Sequence, residues 1–128
     1  MSYYTDVSGK IRISPPITWP EMKTSPFVDD DNLDVRLDIE VETVDTSDGE
    51  LIRRTAYDLI PATDEAYRVR HLVEDVQKAI DAFPGHVFTG TLHCDGEDSS
   101  DLWRVVVRDG RAVKVEPRIV WPDEEVQR

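Results

Sequence analysis

The chain has 128 residues, 39% of them hydrophobic and 33% charged, with a formal net charge of −12 and a single cysteine. That length fits one domain with a real core and no need of staples. The charge opposes direct binding to nucleic acid or anionic membranes, which relies on Lys and Arg displacing counterions. There is no 20-residue apolar run, no secretory leader pattern and no cysteine pair, so a cytoplasmic protein is expected.

In chain order, "TDVSGKIRIS" alternates, with Val7, Gly9, Ile11 and Ile13 on one face. That predicts a half-buried strand, stopped by Pro15-Pro16. Thr18 lies three residues before Glu21, the spacing of a capping box, and Pro20 suits a first turn; the short helix they start ends at Ser25-Pro26. A polar loop, "PFVDDDN", follows. "DVRLDIEVET" alternates again, with Val35, Leu37, Ile39 and Val41 inward and Arg36, Asp38, Glu40 and Glu42 outward. Asp48-Gly49 predicts a two-residue type I′ hairpin into a return strand from about Leu51 to Ile60, closed by Pro61.

The stretch from Thr63 to Gly85 predicts the long helix. Val69, Leu72, Val73, Val76, Ile80 and Phe83 keep helical spacing, Thr63 is placed to cap, Asp64 and Glu65 suit the positive end, and Pro84-Gly85 stops it. Three strands follow, Val87 to Cys94, Leu102 to Arg108 and Arg111 to Trp121, the last two joined by Asp109-Gly110. The order β-α-β-β-α-β-β-β predicts an α+β domain over 1–122, related to the split βαβ plan. A mostly antiparallel sheet would receive the apolar stripe of the long helix, and 123–128 would form a polar tail.

Charge is concentrated. From Asp29 to Glu50 ten acids face Arg36 alone, nine of the twelve net negative charges. The outward ladder Asp38, Glu40, Glu42 has same-face residues about 6.8 Å apart. A DNA duplex carries one charge per roughly 1.7 Å of axis, so one strand imitates it poorly, though the Asp29–Asp31 loop and the Asp45–Glu50 turn improve the match. A second acidic stretch, Asp95, Glu97, Asp98 and Asp101, precedes Trp103. Its plainest role is to shape a tight turn, the carboxylates accepting backbone N–H groups. The second role is to recognise a basic or amine-bearing partner.

The spacings of a helix-loop-helix calcium site are missing, and His71, His86, His93 and Cys94 lack zinc-ligand spacing, so no metal and no cofactor is expected. There is no Gly-x-Ser-x-Gly elbow and no glycine-rich phosphate loop, and Cys94 reads as a buried strand residue. Trp103 shares a strand face with Val105 and Val107, which places it in the core; the other reading sets it on a groove beside the acidic loop.

The opening "MSYYTDVSGKIRI" and the later "FPGHVFTGTLHCDGEDSSDLWRVVV" resemble a family of small uncharacterised proteins from actinobacteria and phages. Its members open Met-Gly-Tyr-Tyr-Thr and carry Phe-x-Gly-x-Leu-x-x-x-Gly-Glu-Asp/Glu-x-x-Asp-Leu-Trp-Arg. The motif falls on Phe88, Gly90, Leu92, Gly96, Glu97, Asp98, Asp101, Leu102, Trp103 and Arg104; Ser2 departs from the pattern. The resemblance implies a bacterial or phage accessory protein and no assigned activity.

The expectation is a non-enzymatic acidic protein that engages a basic protein surface through Asp38, Glu40, Glu42, Asp95, Glu97, Asp98, Asp101 and Trp103. Its sharp form is an anti-defence or inhibitor protein occupying a nucleic-acid-binding groove. The alternative is a small-ligand binder with a pocket between sheet and helix, lined by aromatics and Arg104 or Arg118. A third reading is a cation-dependent enzyme using the Asp95–Asp101 loop.

Overall fold

The computed structural model describes residues 2–123. Six strands make one antiparallel sheet: β1 (Thr5–Thr18), β2 (Val35–Thr46), β3 (Gly49–Pro61), β4 (Val87–Gly96), β5 (Leu102–Arg108) and β6 (Arg111–Val115). Their spatial order is β2-β3-β1-β4-β5-β6. The helices are α1 (Trp19–Met22), between β1 and β2, and α2 (Leu72–Ala82), between β3 and β4. This is the expected α+β class.

Alternation sets the two faces. Ile11, Ile13 and Ile17 of β1, Leu59 of β3, Leu92 of β4 and Val105 of β5 are fully enclosed on one face. Leu72, Val76 and Ala79 of α2, with Phe83 just after it, complete the core. Burying such side chains contributes about 1.5–3 kcal/mol each. Among the described residues no helix covers the opposite face.

Several boundaries differ from the pattern-based expectation. Pro15-Pro16 does not stop β1; the register with β3 shifts between Arg12 and Ile17, and the strand resumes to Thr18. An irregularity at that point absorbs the missing N–H groups. The Thr18–Glu21 relation holds, the Thr18 N–H and hydroxyl donating to the Glu21 carboxylate at 3.2 and 2.8 Å. The first hairpin turns on Ser47-Asp48 instead of Asp48-Gly49, and only Gly49 takes a positive φ, 118°. The second does have positive φ at both Asp109 and Gly110, as a type I′ turn requires. The last strand ends at Val115, short of Trp121, with Pro117 two residues on. Apart from Asp123, the expected polar tail lies outside the described residues.

The largest correction concerns α2, which starts at Leu72, not near Thr63. Tyr67 exchanges main-chain hydrogen bonds with Thr5 at 2.8 and 3.0 Å, tying this segment to the start of β1. Asp34 does the capping from another part of the chain. Its carboxylate accepts the Arg70 and His71 N–H groups at 2.8 and 2.5 Å. Asp75, in the first turn of α2, accepts the Asp34 N–H at 2.9 Å, and the Tyr67 hydroxyl donates to the Asp34 carbonyl at 2.6 Å. Thr63 accepts only from Glu65 N–H, a local turn. Asp34 therefore belongs to the interior and not to the outward acidic set. Burial pushes the Asp75 carboxyl upward, and burial followed by Asp34 raises Tyr67 above its ordinary range.

Candidate functional site

The register places β1 and β2 in one direction and β3 and β4 in the other. The starts of β1 and β2 and the ends of β3 and β4 therefore share one end of the sheet. Asp6, Asp29, Asp30, Asp31, Asp64, Glu65, Asp95, Glu97 and Asp98 gather at that end, all exposed and none ion-paired among the described residues. The acidic ladder lies elsewhere. Asp38, Glu40 and Glu42 are on β2, an edge strand separated from β4 by β3 and β1. The two acidic sets expected to act together are not brought together.

Nor is the ladder free. Glu42 accepts from Arg53 at 2.6 Å, a contact that holds its carboxyl below the usual range. Asp38 sits opposite Asp58, a buried carboxylate whose Oδ1 lies 3.3 Å from the exposed Arg12 Nε. That oxygen has no well-aligned donor, so the attraction is ionic more than directional. Val41, expected inward, is exposed because β2 has run past the core by that point.

The Asp95–Asp101 loop has a structural explanation. The Tyr3 hydroxyl donates to Asp101 Oδ2 at 2.5 Å and accepts the Asp98 N–H at 3.2 Å. Gly96 N–H donates to the Asp101 carbonyl at 2.8 Å, and Asp101 N–H to the Asp98 carbonyl at 3.0 Å. The backbone N–H is thus taken by a tyrosine from the N-terminus and not by a loop carboxylate. A Cβ on Gly96 would overlap both the Asp101 carboxylate and the Tyr3 hydroxyl, which accounts for a glycine in the motif. Asp101 is committed to the fold. Among the described residues none pairs with the carboxylates of Asp95, Glu97 and Asp98.

Trp103 lies on the core side, opposite Cys94, half-buried and packed against the core with Lys114 Nζ 4.8 Å from its ring centroid. Cys94 is buried, and burial with the nearby Asp101 pushes its thiol up to about 12, which suits packing and not nucleophilic attack.

The uncovered face carries a groove of about 570 Å³. Two cross-strand rows build it: Ser8, His93, Arg104 and Val115, and beside it Asp6, Asp95 and Leu102. Glu116 and Pro117 close one side. Leu102 and Val115 are about half exposed, so the groove has apolar ground among carboxylates. Arg104 and, among the aromatics, Trp103 are the residues of the expected small-ligand pocket that do line this groove. The space between sheet and helix is filled core, and Arg118 lies on the exposed segment after β6. Pattern reasoning missed Ser8 and His93 because only strand pairing joins them to Arg104.

A second concavity of about 400 Å³ lies between the Asp29–Asp31 loop and the segment before α2. It sets three exposed carboxylates against Arg36, Arg68 and Arg70, none within 4 Å of a described carboxylate. Among the described residues no three His, Cys, Asp or Glu side chains converge as metal ligands, and no helix is long and apolar enough to cross a membrane. No curated protein and no solved structure matches the chain. A family described as "Family of unknown function (DUF6205)" matches residues 1–128, and the chain belongs to that family.

Proposed function

We propose that the protein is a non-enzymatic binding module that takes a basic protein partner on the uncovered face of its sheet. The observation that carries this reading is the groove itself, with Leu102 and Val115 as apolar ground and Asp6, Asp95 and Glu116 around them. An apolar centre inside a charged rim is the anatomy of a protein interface, and the rim's sign selects a basic partner. The loop acids Glu97 and Asp98 follow Asp95 directly in the chain and are exposed. The version in which the protein occupies a nucleic-acid-binding groove draws on the same charge, but the engagement of Glu42 with Arg53 leaves the β2 ladder less duplex-like.

The test is capture of a partner by immobilised protein from cells that naturally make it. Leu102→Asp with Val115→Asp should lose the partner while melting at the wild-type temperature, since both side chains are half exposed. Asp38, Glu40 and Glu42 changed to Lys should retain it. The reverse pattern moves the interface to β2. The volume of the groove also falls in the range of about 300–1,000 Å³ typical of small-ligand sites, and Arg104 with His93 supplies polar contacts. For that second reading, native mass spectrometry of protein purified from its own host should show a bound small molecule.

A further inference from the structure

The cavity beside the Asp29–Asp31 loop shares no lining residue with the groove on β4–β6. Part of its lining is apolar: Val28, Leu33, Ala62 and Tyr67 are each half-buried there. Its charges come from separate stretches of chain. Asp29, Asp30 and Asp31 belong to the loop before β2, Arg68 and Arg70 to the segment before α2, and Arg36 to the start of β2.

Both flanking stretches are held by main-chain hydrogen bonds. In the loop, the Asp30 N–H donates to the Pro26 carbonyl at 2.9 Å and the Leu33 N–H to the Asp30 carbonyl at 3.4 Å. Before α2, the main chain of Tyr67 is tied to Thr5 and the Arg70 N–H to the buried Asp34 carboxylate, so the backbone is fixed on each side of Arg68. Val69 packs against the core, while Arg68 and Arg70 beside it are exposed. A frame ordered in advance lowers the ordering cost of binding.

The two signs of charge line one cavity without neutralising each other. Among the described residues no carboxylate lies within 4 Å of the Arg36, Arg68 or Arg70 guanidinium, those of the same cavity included. A guanidinium carries five N–H donors in a fork that matches a carboxylate. A simple anion would gain that contact but be repelled by three aspartates, and a simple cation would meet the reverse. A molecule with a negative group at one end and a positive group at the other gains at both. The required length follows from the size of the space: about 400 Å³ is on the order of 9 Å across if round, the span of two or three extended residues at about 3.4 Å each.

We propose that this cavity binds a short peptide of two or three residues with both ends free. Its terminal carboxylate lies against Arg36, Arg68 and Arg70, its terminal ammonium against Asp29 and Asp31, and an apolar side chain rests on Val28, Leu33 and Ala62. Capture of free chain ends by polar groups is an established mode of peptide recognition. A single amino acid does not serve, because its two charges are only two bonds apart.

The test is an amide NMR titration of the whole chain with the tripeptide Gly-Leu-Gly, up to millimolar concentration at constant ionic strength. Saturable shift changes should appear at residues 29–33, 36, 62–63 and 67–70, with Ser8, His93 and Arg104 unmoved. Acetylating the peptide's N-terminus or amidating its C-terminus should each weaken binding about tenfold or more, since each removes one charged contact. Free leucine should be weaker by a similar factor. Arg68→Gln with Arg70→Gln should lose the peptide and keep the wild-type melting temperature, because both side chains are exposed. Absence of saturable changes with Gly-Leu-Gly overturns the proposal. So does equal binding of either capped peptide or of leucine, and so does inorganic phosphate that reproduces the same changes, which would mark a site for anions alone.

Discussion

Replacing Asp34 by Ala should be among the most damaging single changes to a residue that pattern reasoning places on the surface. Its carboxylate accepts two main-chain N–H groups, of Arg70 and His71, directly before α2, and its side chain is buried. Truncation leaves both donors without an acceptor, and each costs about 1–3 kcal/mol when water cannot replace it. Arg70 and His71 are themselves exposed, so water recovers part of that loss, and about 2–4 kcal/mol in total is expected. For a domain of this size that lowers Tm by about 10 °C. Asp34→Asn keeps an acceptor oxygen and should lose about half as much, since hydrogen bonds to charged groups are roughly twice as strong as neutral ones. Thermal and urea unfolding measure the loss, and amide exchange locates it: Arg70 and His71 should exchange faster while the β1 amides stay protected. An Asp34→Ala protein that melts with the wild type would refute the capping role.

Three further outcomes are expected. His86 contacts the Pro15 carbonyl and Glu21, each at 2.6 Å. Burial opposes its charge, but those two acceptors outweigh it and raise the imidazole above its ordinary 6.5. The His86 hydrogen bond, then Thr18, lowers Glu21 below 4.5. The His86 contribution is therefore complete below 6.5 and fades as pH rises through the raised value, while that of Glu21 is complete above 4.5 and fades as pH falls through the lowered one. His86→Ala should accordingly cost most between 4.5 and 6.5 and least in alkaline buffer; thermal melts across pH that show the opposite trend would contradict the pairing. Tyr3→Phe and Gly96→Ala should each loosen the β4–β5 loop, seen as faster exchange at Asp98 and Asp101, and their effects should be less than additive because they break one knot. Trp103→Ala should cost about 2–3 kcal/mol, below the range for a fully enclosed tryptophan because this one is only half-buried; a variant as stable as wild type would place its ring outside the core.

Much of the fold was legible because period-two alternation and helical spacing are local. Ile11 and Ile13, Val35 and Leu37, and Leu72 and Val76 all face inward as their spacing predicts. What was not legible depends on partners distant in sequence. Asp34 caps a helix 36 and 37 residues away, so its place in an acidic run disguised it. The Tyr3–Asp101 tie spans 98 residues and cannot be seen in a motif that starts at Phe88. Val41 continues the apolar alternation of β2, but alternation does not say where the opposing layer stops. Pro15-Pro16 reads as a terminator, while the register shift beside it lets the strand continue. The candidate site was half visible: Asp95 and Trp103 line the groove, Trp103 while also packing against the core, whereas Asp101 is engaged by the fold and Glu97 and Asp98 lie on the exposed loop beyond Asp95.

The most direct test of the binding reading is a backbone amide NMR titration with a short arginine-rich peptide carrying one leucine. Shift changes should be saturable and confined to Ser8, His93, Leu102, Arg104, Val115 and the 96–101 loop, and they should be lost in Leu102→Asp with Val115→Asp. Saturable changes centred on Asp29–Asp31 and Arg68–Arg70, with the groove amides unmoved, would contradict it.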